Sequence, residues 1–217
     1  MKERIKEFFA RKGNYYQNNE VNENKEEKNQ NPSEEIKRYA IEKFKTRRSI
    51  RKYSQKEVPW KTIHDIIENA LNAPAAGNIQ NYKVIVVTEK KKRHEIGKLS
   101  FHQYWLSEAP TLLVVVRDNY DLKNMYPNEG ETYAIQNSAA FIQNLLLLAH
   151  FNELGACWVE AYDNEVVKEY LGIPIEKTVD AIIPIGYPLE NPKISKDPMT
   201  SKVFFEKYGN KNRENHH

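Results

Sequence analysis

Residues 131–152 read ETYAIQNSAAFIQNLLLLAHFN and form the most strongly patterned stretch of the chain. Apolar residues recur at helical spacing from Ile135 to Ala149, which predicts a helix over about Glu131–Asn152. The opposite flank of this helix, which includes Leu147 and Phe151, is apolar as well. A helix that is apolar nearly all round is central to a protein core or to a subunit interface.

Helices and short strands are predicted on both sides of this stretch. Helical spacing of apolar residues begins at Ile36 and again after Pro59. Two β-rich runs follow, KVIVVT at 83–88 and TLLVVV at 111–116. Between them lies a charged stretch, KKKRHEIGKL, which is predicted to be helical. After the long helix come a strand (GACWVE), a helix (NEVVKEYLG) that ends at Gly172, and a strand (AIIPIG). This order predicts an α/β or α+β sandwich.

Composition divides the chain into three parts. Residues 13–35 read GNYYQNNEVNENKEEKNQNPSEE, a polar run with too little apolar surface to offset the entropy of ordering it. We therefore predict a disordered extension over 1–33, with at most a marginal helix around Phe8, a globular domain over 34–209, and a flexible tail over 210–217. His216 and His217 have the appearance of a tag remnant.

Overall composition excludes several classes of protein. The 217 residues carry a formal charge of +3 with the two signs interspersed, a pattern that argues against nucleic-acid binding. A single cysteine, Cys157, rules out an intrachain disulfide and a thiolate metal cage, and the histidines lack metal-ligand spacing. We expect Cys157 to be a buried packing residue and no metal to be bound. No apolar run is long enough to span a bilayer and no secretory signal is recognisable, so a soluble, cytoplasmic protein without membrane contact is expected.

Arg47, Arg48, Ser49 and Arg51 lie together where the first globular helix gives way to a loop. Guanidinium groups match phosphate oxygens in pairs and a hydroxyl adds a short hydrogen bond, so this cluster is suited to a phosphate. A basic, solvated turn is the simpler interpretation of the cluster taken alone.

The segment APAAGNIQNY at 73–82 connects a helix to a strand. Its small residues allow a flat ligand to approach the backbone closely. Asn78 and Gln80 each offer a donor and an acceptor to the edge of such a ligand. An ordinary helix-ending turn is the alternative interpretation.

The order and spacing of these segments resemble the nitroreductase family. The matching features are Arg-Arg-Ser-x-Arg at 47–51, Ala-Pro-x-x-x-Asn-x-Gln at 73–80, AAFIQNLLL at 139–147, LGACWVE at 154–160, IPIGYP at 183–188 and KDPM at 196–199. The resemblance extends from about Glu35 to about Gly209. It implies an α+β fold: an α-β-α sandwich with a mainly antiparallel central sheet and the long central helix at a dimer interface.

The resemblance also implies a function. The chain would be an FMN-dependent oxidoreductase that works as a homodimer, with FMN bound between the subunits. Hydride would pass from NADH or NADPH through the flavin to an electron-poor acceptor, such as a nitroaromatic or a quinone, in a ping-pong cycle. The flavin N5 would carry the chemistry, so no catalytic side chain is assigned. The alternatives are a family relative that acts as a dehalogenase or dehydrogenase, and a non-catalytic FMN-binding protein.

Site residues follow from the resemblance position by position. The phosphate end of FMN would be held by Arg47, Ser49 and Arg51, with Arg48 beside them and Lys196 completing the site. The partner subunit would contribute the loop residues Pro74, Ala75, Ala76 and Asn78, and Gln80 would add a further contact. Backbone groups of Glu160 and Ala161 would lie near N5, and Gln103 would face the pyrimidine edge.

The chain departs from the family pattern at a few positions. Ala75-Ala76 stands where a serine is common, Asn81-Tyr82 replaces a frequent Pro-Trp, and Asn137 occupies a position often held by Asp. We expect these departures to affect substrate fit and flavin tuning more than the fold.

Overall fold

The computed structural model describes residues 32–211 of the chain. The chain divides into two compact units, Met1–Tyr39 and Ala40–His217, and the sheet and the helices that cover it belong to the second. The helix predicted around Phe8 and the tag-like residues at the C-terminus lie outside the described residues. The predicted boundary at residue 33 stays a prediction.

Helices and strands alternate along the described chain. The helices are α1 (Pro32–Thr46), α2 (Trp60–Ala70), α3 (Lys90–Leu99), α4 (Tyr120–Met125), α5 (Gly130–Phe151) and α6 (Asn164–Leu171). The strands are β1 (Tyr82–Val87), β2 (Thr111–Arg117), β3 (Gly155–Ala156) and β4 (Thr178–Gly186), and short 3-10 turns lie at Ala76–Asn78, Tyr104–Glu108 and Met199–Ser201.

The four strands form one antiparallel sheet in the order β1-β2-β4-β3. Every residue of β2 is buried, because this strand has neighbours in the sheet on both sides and helices on both faces. Its side chains alternate between two separate clusters: Leu113 and Val115 point to one face, and Leu112, Val114 and Val116 to the other.

Each face of the sheet is covered by a different pair of helices. Buried side chains of α2 and α5, such as Ile66 and Phe141, pack with Leu113. On the other face, Ile96 of α3 and Val167 of α6 belong to the cluster that contains the alternate β2 side chains. The fold is therefore an α+β sandwich with an antiparallel sheet, as the resemblance implied.

Local sequence signals explain where α6 begins and ends. The Asp163 carboxylate accepts a hydrogen bond from Val166 N at 3.2 Å, which satisfies an otherwise free amide of the first turn. At the other end, Gly172 adopts a left-handed conformation with φ 65° and caps the last carbonyls.

Most predicted elements are confirmed, and the differences lie in short segments. Only Gly155–Ala156 of the predicted GACWVE strand pairs continuously with β4, and Val159 adds one isolated bridge to Ile182. The pairing is interrupted opposite Pro184, which has no N–H to donate, and resumes in the same register at Val159, where both hydrogen bonds to Ile182 form. Helix α4 was not predicted, because its six residues are too few to show a period. Within 32–211, no helix combines the length and the apolar character needed to cross a membrane.

Candidate functional site

Backbone pairing with β3 fixes the position of the arginine segment at 47–51. Ser49 forms a parallel bridge with Ala156, and Ile50 N donates to Ala156 O at 3.1 Å. The arginine segment and β3 approach each other so closely that a Cβ atom at Gly155 would lie 2.8 Å from side-chain atoms of Ile50. A side chain at 155 would therefore push the segment away from the sheet.

The arginines of this segment are used in two different ways. The guanidinium group of Arg48 donates to Lys45 O at 2.7 Å and to Arg47 O at 2.8 Å, which caps the C-terminal end of α1. Among residues 32–211, by contrast, no carboxylate forms an ion pair with Arg47 or Arg51. The Arg51 guanidinium lies 5.8 Å from the centre of the Trp105 ring. Two cationic groups are thus left for an anionic ligand, with the Ser49 hydroxyl beside the Cys157 thiol and the Glu190 carboxylate accepting from Arg51 N at 2.6 Å.

Cys157 lies beside this segment but does not have the properties of a reactive cysteine. The residue is 2% exposed, and the buried packing role expected from the sequence is confirmed. Burial raises the pKa of its thiol above the usual value, against the opposing effects of Arg51, Ser49 and Arg47. A buried thiol with a raised pKa stays protonated at neutral pH and is a poor nucleophile.

Gln103 is brought next to the residues predicted near the flavin N5. Its Nε2 donates to Ala161 O at 2.7 Å and to Ser100 O at 3.0 Å. Glu160 and Ala161 are exposed and follow the bridge between Val159 and Ile182. The Tyr104–Glu108 turn begins directly after Gln103 and carries Trp105, so the groups around Gln103 adjoin those around Arg51.

The loop over Pro74–Gln80 is held from below by Asn137 of α5. The Asn137 side chain is buried; its Oδ1 accepts from Ala76 N at 2.9 Å, and its Nδ2 donates to Ile79 O at 3.1 Å and to Asn81 Oδ1 at 3.0 Å. A carboxylate at 137 would accept the first bond but donate neither of the others. Asn137 therefore supports the loop backbone, a structural role that the sequence comparison did not assign to it.

The loop itself exposes polar groups on a tight backbone. Gly77 and Asn78 both have positive φ angles, 60° and 57°, a conformation that glycine and asparagine tolerate best. Gln80 Nε2 donates to Asn78 Oδ1 at 3.0 Å, and both side chains are exposed. Ala75 and Ala76 are half-buried, and Pro74 is exposed.

The structure brings some of the predicted residues together and leaves others apart. Arg47, Ser49 and Arg51 adjoin the Gln103 region through Trp105. In the described part of the chain, no hydrogen bond or ion pair joins the loop at 74–80 to the arginine segment or to Gln103. Lys196, which is exposed in the segment after β4, is likewise not bonded to either of them. The sharing of these residues in one site stays a prediction.

One group of potential metal ligands lies elsewhere in the described chain. His64, Asp65 and Glu68 of α2 have ligand atoms within 4.8 Å of one another. Their side chains are about half exposed or more, and Lys61 already pairs with Asp65 at 2.9 Å. An exposed acidic cluster of this kind is common on helices, so the expectation that no metal is bound stays a prediction.

Helix α5 and the end of α1 are joined by a second polar group near the arginines. His150 Nε2 lies 2.9 Å from Thr46 Oγ1, and Lys43 Nζ donates to His150 O at 3.3 Å and to Glu153 Oε1 at 2.6 Å. Burial, followed by the charges of Lys43, Arg47 and Arg48, lowers the pKa of His150, and Glu153 opposes this effect. A neutral His150 adds no charge beside Arg47.

Known proteins that resemble the chain share this arrangement of elements. The model of the nitroreductase family matches residues 44–104 and 98–187. An NADH dehydrogenase of Thermus thermophilus is 30% identical over 172 residues, which cover 66% of this chain and 84% of the relative.

Two solved structures illustrate the similarity in three dimensions. An FMN-dependent nitroreductase from Clostridium difficile is 27% identical with a TM-score of 0.68, over 77% of this chain and 99% of that chain. An NADPH:FMN oxidoreductase from Vibrio harveyi in complex with NAD+ is 25% identical with a TM-score of 0.71, over 78% of this chain and 77% of that chain.

The lowered pKa of His150 predicts how stability depends on pH. The unfolded chain binds the proton more readily, so the contribution of His150 is fully present above the unfolded pKa of about 6.5 and is lost as pH falls below it. His150→Gln keeps a hydrogen-bonding side chain but does not titrate. We expect its free energy of unfolding to fall less between pH 7 and pH 5 than that of the unmodified protein, as measured by urea denaturation. His64→Gln, at an exposed position, is the control. If the free energy of unfolding falls by the same amount between pH 7 and pH 5 in both variants and in the unmodified protein, the prediction is contradicted.

Proposed function

The chain belongs to the nitroreductase family, and on that basis we propose that it is an FMN-dependent oxidoreductase. It takes hydride from NADH or NADPH and reduces an electron-poor acceptor such as a nitroaromatic or a quinone. The observation that carries the proposal is the Arg47–Arg51 segment. Two guanidinium groups and a hydroxyl are held there by pairing with β3, without an ion pair of their own among residues 32–211.

The donor set of this segment fits the phosphate of FMN. Arg47 and Arg51 would each offer a planar pair of donors to the phosphate oxygens, and Ser49 a hydroxyl. Arg48 would contribute through its charge, since its guanidinium already binds backbone carbonyls. Lys196 would complete the site when the segment after β4 lies over it.

The remaining predicted contacts would orient the ring system. Gln103 and the backbone of Glu160 and Ala161 would line one edge of the flavin. The Gln103 side chain is already hydrogen-bonded to Ala161 O. Pro74, Ala75, Ala76, Asn78 and Gln80 would come from the partner subunit. Within residues 32–211, no hydrogen bond or ion pair joins this loop to Arg47–Arg51, which fits a site that two subunits share.

The protein would contribute binding, orientation and charge to the reaction. When bound, FMN accepts a hydride at N5 and gives it up to the second substrate. Cationic groups near the ring system would stabilise negative charge on the reduced cofactor. The nicotinamide and the acceptor would occupy the same place in turn, which makes the cycle ping-pong and requires no acid–base pair from the chain.

We also propose a homodimer. Helix α5 keeps some apolar side chains partly outside the core: Ile135 is 49% exposed, and Leu147 is only half-buried. Phe44 of α1 is 63% exposed. A second subunit would remove this apolar area from water, which is the main source of stability in obligate dimers. A cytoplasmic location is proposed with it, since the sequence has no disulfide framework of the kind that many secreted proteins use.

Replacing either free arginine should weaken binding of FMN but not of riboflavin. Arg47→Ala or Arg51→Ala removes a charge-assisted bond to the phosphate, so we expect FMN affinity to fall about 10- to 100-fold. Riboflavin lacks the phosphate, and its affinity should be unchanged. Titration of the flavin-free protein, followed by flavin fluorescence, measures both. Lys52→Ala is the control for loss of a neighbouring charge; an equal loss of both flavins in the arginine variants would overturn the phosphate assignment.

The full-length protein loaded with FMN should turn over. We expect NADH or NADPH to bleach the flavin absorbance in a stopped-flow experiment and a quinone or nitroaromatic to restore it. Steady-state rates at several acceptor concentrations should give parallel double-reciprocal lines, as a ping-pong cycle requires. Bound flavin that neither nicotinamide reduces would leave the chain an FMN-binding protein without this activity, and intersecting lines would exclude the ping-pong order.

Light scattering should give a particle of twice the 25.5 kDa chain mass. Ile135→Arg places a charge on the exposed apolar flank of α5, and we expect it to shift the protein towards monomer and to lower its flavin content together. Ile175→Arg is the control, because Ile175 is 84% exposed in a loop after α6. A monomeric parent protein with full flavin occupancy would overturn the shared site.

A further inference from the structure

The carboxylate of Glu190 binds the backbone of the arginine segment. Glu190 is half-buried in the segment after β4, and its Oε1 accepts a hydrogen bond from Arg51 N at 2.6 Å. A backbone N–H that donates to a carboxylate forms a charge-assisted bond, which is stronger than a bond between two neutral groups. This bond therefore restrains Arg51 at its main chain, while its guanidinium group has no carboxylate partner among residues 32–211.

Backbone pairing fixes the residues on either side of Arg51 but not Arg51 itself. Ile50 N donates to a carbonyl of β3 at 3.1 Å, and Leu189 N donates to Lys52 O at 3.0 Å. Within the described part of the chain, Arg51 N has no backbone acceptor, and the Glu190 side chain takes that place. Glu190 directly follows Leu189, so one short stretch of chain holds two successive residues of the arginine segment.

The negative charge of Glu190 lies close to both arginines that have no ion pair. Burial is the main reason why the pKa of the Cys157 thiol is raised; Arg51 and Arg47 lower it, and Glu190 raises it. All three charged groups therefore lie near the same buried thiol. Because a carboxylate repels phosphate oxygens, the charge of Glu190 by itself disfavours an anion here. Its favourable effect on an anion site is the fixed position that it gives to Arg51.

We propose that Glu190 is a positioning residue for the phosphate of FMN, a role that rests on the function proposed above. Its carboxylate fixes the backbone of Arg51, from which the guanidinium group extends to the phosphate. Without this bond, Arg51 would have to lose more conformational freedom when the phosphate binds, and that entropy cost would lower the affinity. Glu190 itself does not contact the flavin.

Amide hydrogen exchange of the flavin-free full chain tests the bond between Glu190 and Arg51. NMR of isotope-labelled protein follows the N–H groups of Arg51 and Ile50 separately. Glu190→Ala removes the acceptor, and we expect exchange at Arg51 to become at least about tenfold faster while exchange at Ile50 is unchanged. Glu190→Gln keeps an acceptor oxygen, so its exchange at Arg51 should stay within about threefold of that in the unmodified protein.

Flavin titration tests what this bond contributes to binding. We expect Glu190→Ala to weaken FMN binding about three- to tenfold and riboflavin binding less than about twofold, because riboflavin has no phosphate for Arg51 to bind. Glu190→Gln should bind FMN at least as tightly as the unmodified protein, since it keeps the acceptor and removes a negative charge.

Glu108→Ala is the matched control for these measurements. Glu108 is exposed, and its charge, like that of Glu190, raises the pKa of the Tyr53 hydroxyl, which burial raises most. Within the described residues, its carboxylate forms no hydrogen bond with the arginine segment. Glu108→Ala should therefore change neither the exchange at Arg51 nor the affinity for FMN.

A double-mutant cycle tests whether Glu190 acts through Arg51. In an Arg51→Ala background there is no guanidinium group left to position, so we expect Glu190→Ala to cause no further loss of FMN affinity. An equal loss in both backgrounds would place the effect elsewhere, for example on the segment that carries Lys196, and would overturn the proposal.

Failure of this proposal and failure of the proposed function give different results. Unmodified protein that does not bind FMN would refute the proposed function, whatever the exchange shows. Unchanged exchange at Arg51 in Glu190→Ala would overturn the positioning role even if FMN binds. Two further results would also overturn it: a loss of FMN affinity in Glu190→Gln as large as in Glu190→Ala, and an equal loss of FMN and riboflavin affinity in Glu190→Ala.

Discussion

Burial of β2 on both faces is the constraint on which the other elements depend. A strand covered on both faces needs apolar side chains pointing in both directions, and TLLVVV supplies them without interruption. Since alternate residues enter two separate clusters, each face requires its own helical layer. Helices α2 and α5 cover one face, and α3 and α6 the other. The loops that carry polar residues are therefore attached to a scaffold whose register cannot slip without exposing one of the two clusters.

The site depends on this scaffold through two close contacts. Gly155 lets the Arg47–Arg51 segment pair with β3, because no side chain stands between its backbone and Ile50. Asn137, buried on α5, holds the loop at Ala76 and Ile79 by both ends of its amide. Neither residue is among the predicted ligand contacts. Their effect is to fix the backbone that carries those predicted contacts, which would reduce the entropy lost when a ligand binds.

The sequence was informative wherever a pattern extended over several turns or a whole strand. The long helix, both central strands and the α2 and α6 helices are recognisable because burial imposes a period on their side chains. Short elements were harder to predict. Helix α4 has no room for a period, and the pairing of β3 is interrupted by Pro184 of the neighbouring strand, which cannot be assigned as its partner before the register is known. The arginine cluster was recognisable as a group, but the sequence could not distinguish Arg48, which caps α1, from Arg47 and Arg51, which are free. That distinction depends on side-chain direction, and neighbouring residues with identical side chains carry no signal of it.

The arginines also show why an unsatisfied buried group stands out in this molecule. Arg117, at the end of β2, is as buried as Arg93, and it pairs with Asp180 at 2.8 Å and Glu131 at 2.7 Å. Removing a guanidinium group from water is costly unless acceptors replace its hydration, and Arg117 meets this condition through the protein itself. Arg93 meets it only in part, with one carbonyl for one nitrogen, although Glu57 and Glu89 line a surface cavity beside it. Glu89 is drawn to Lys92, and Glu57 forms no ion pair within residues 32–211. Arg93 Nε has no acceptor among residues 32–211 and is closed to solvent as well, so burial of this arginine carries a desolvation cost of the kind that the ion pairs of Arg117 offset.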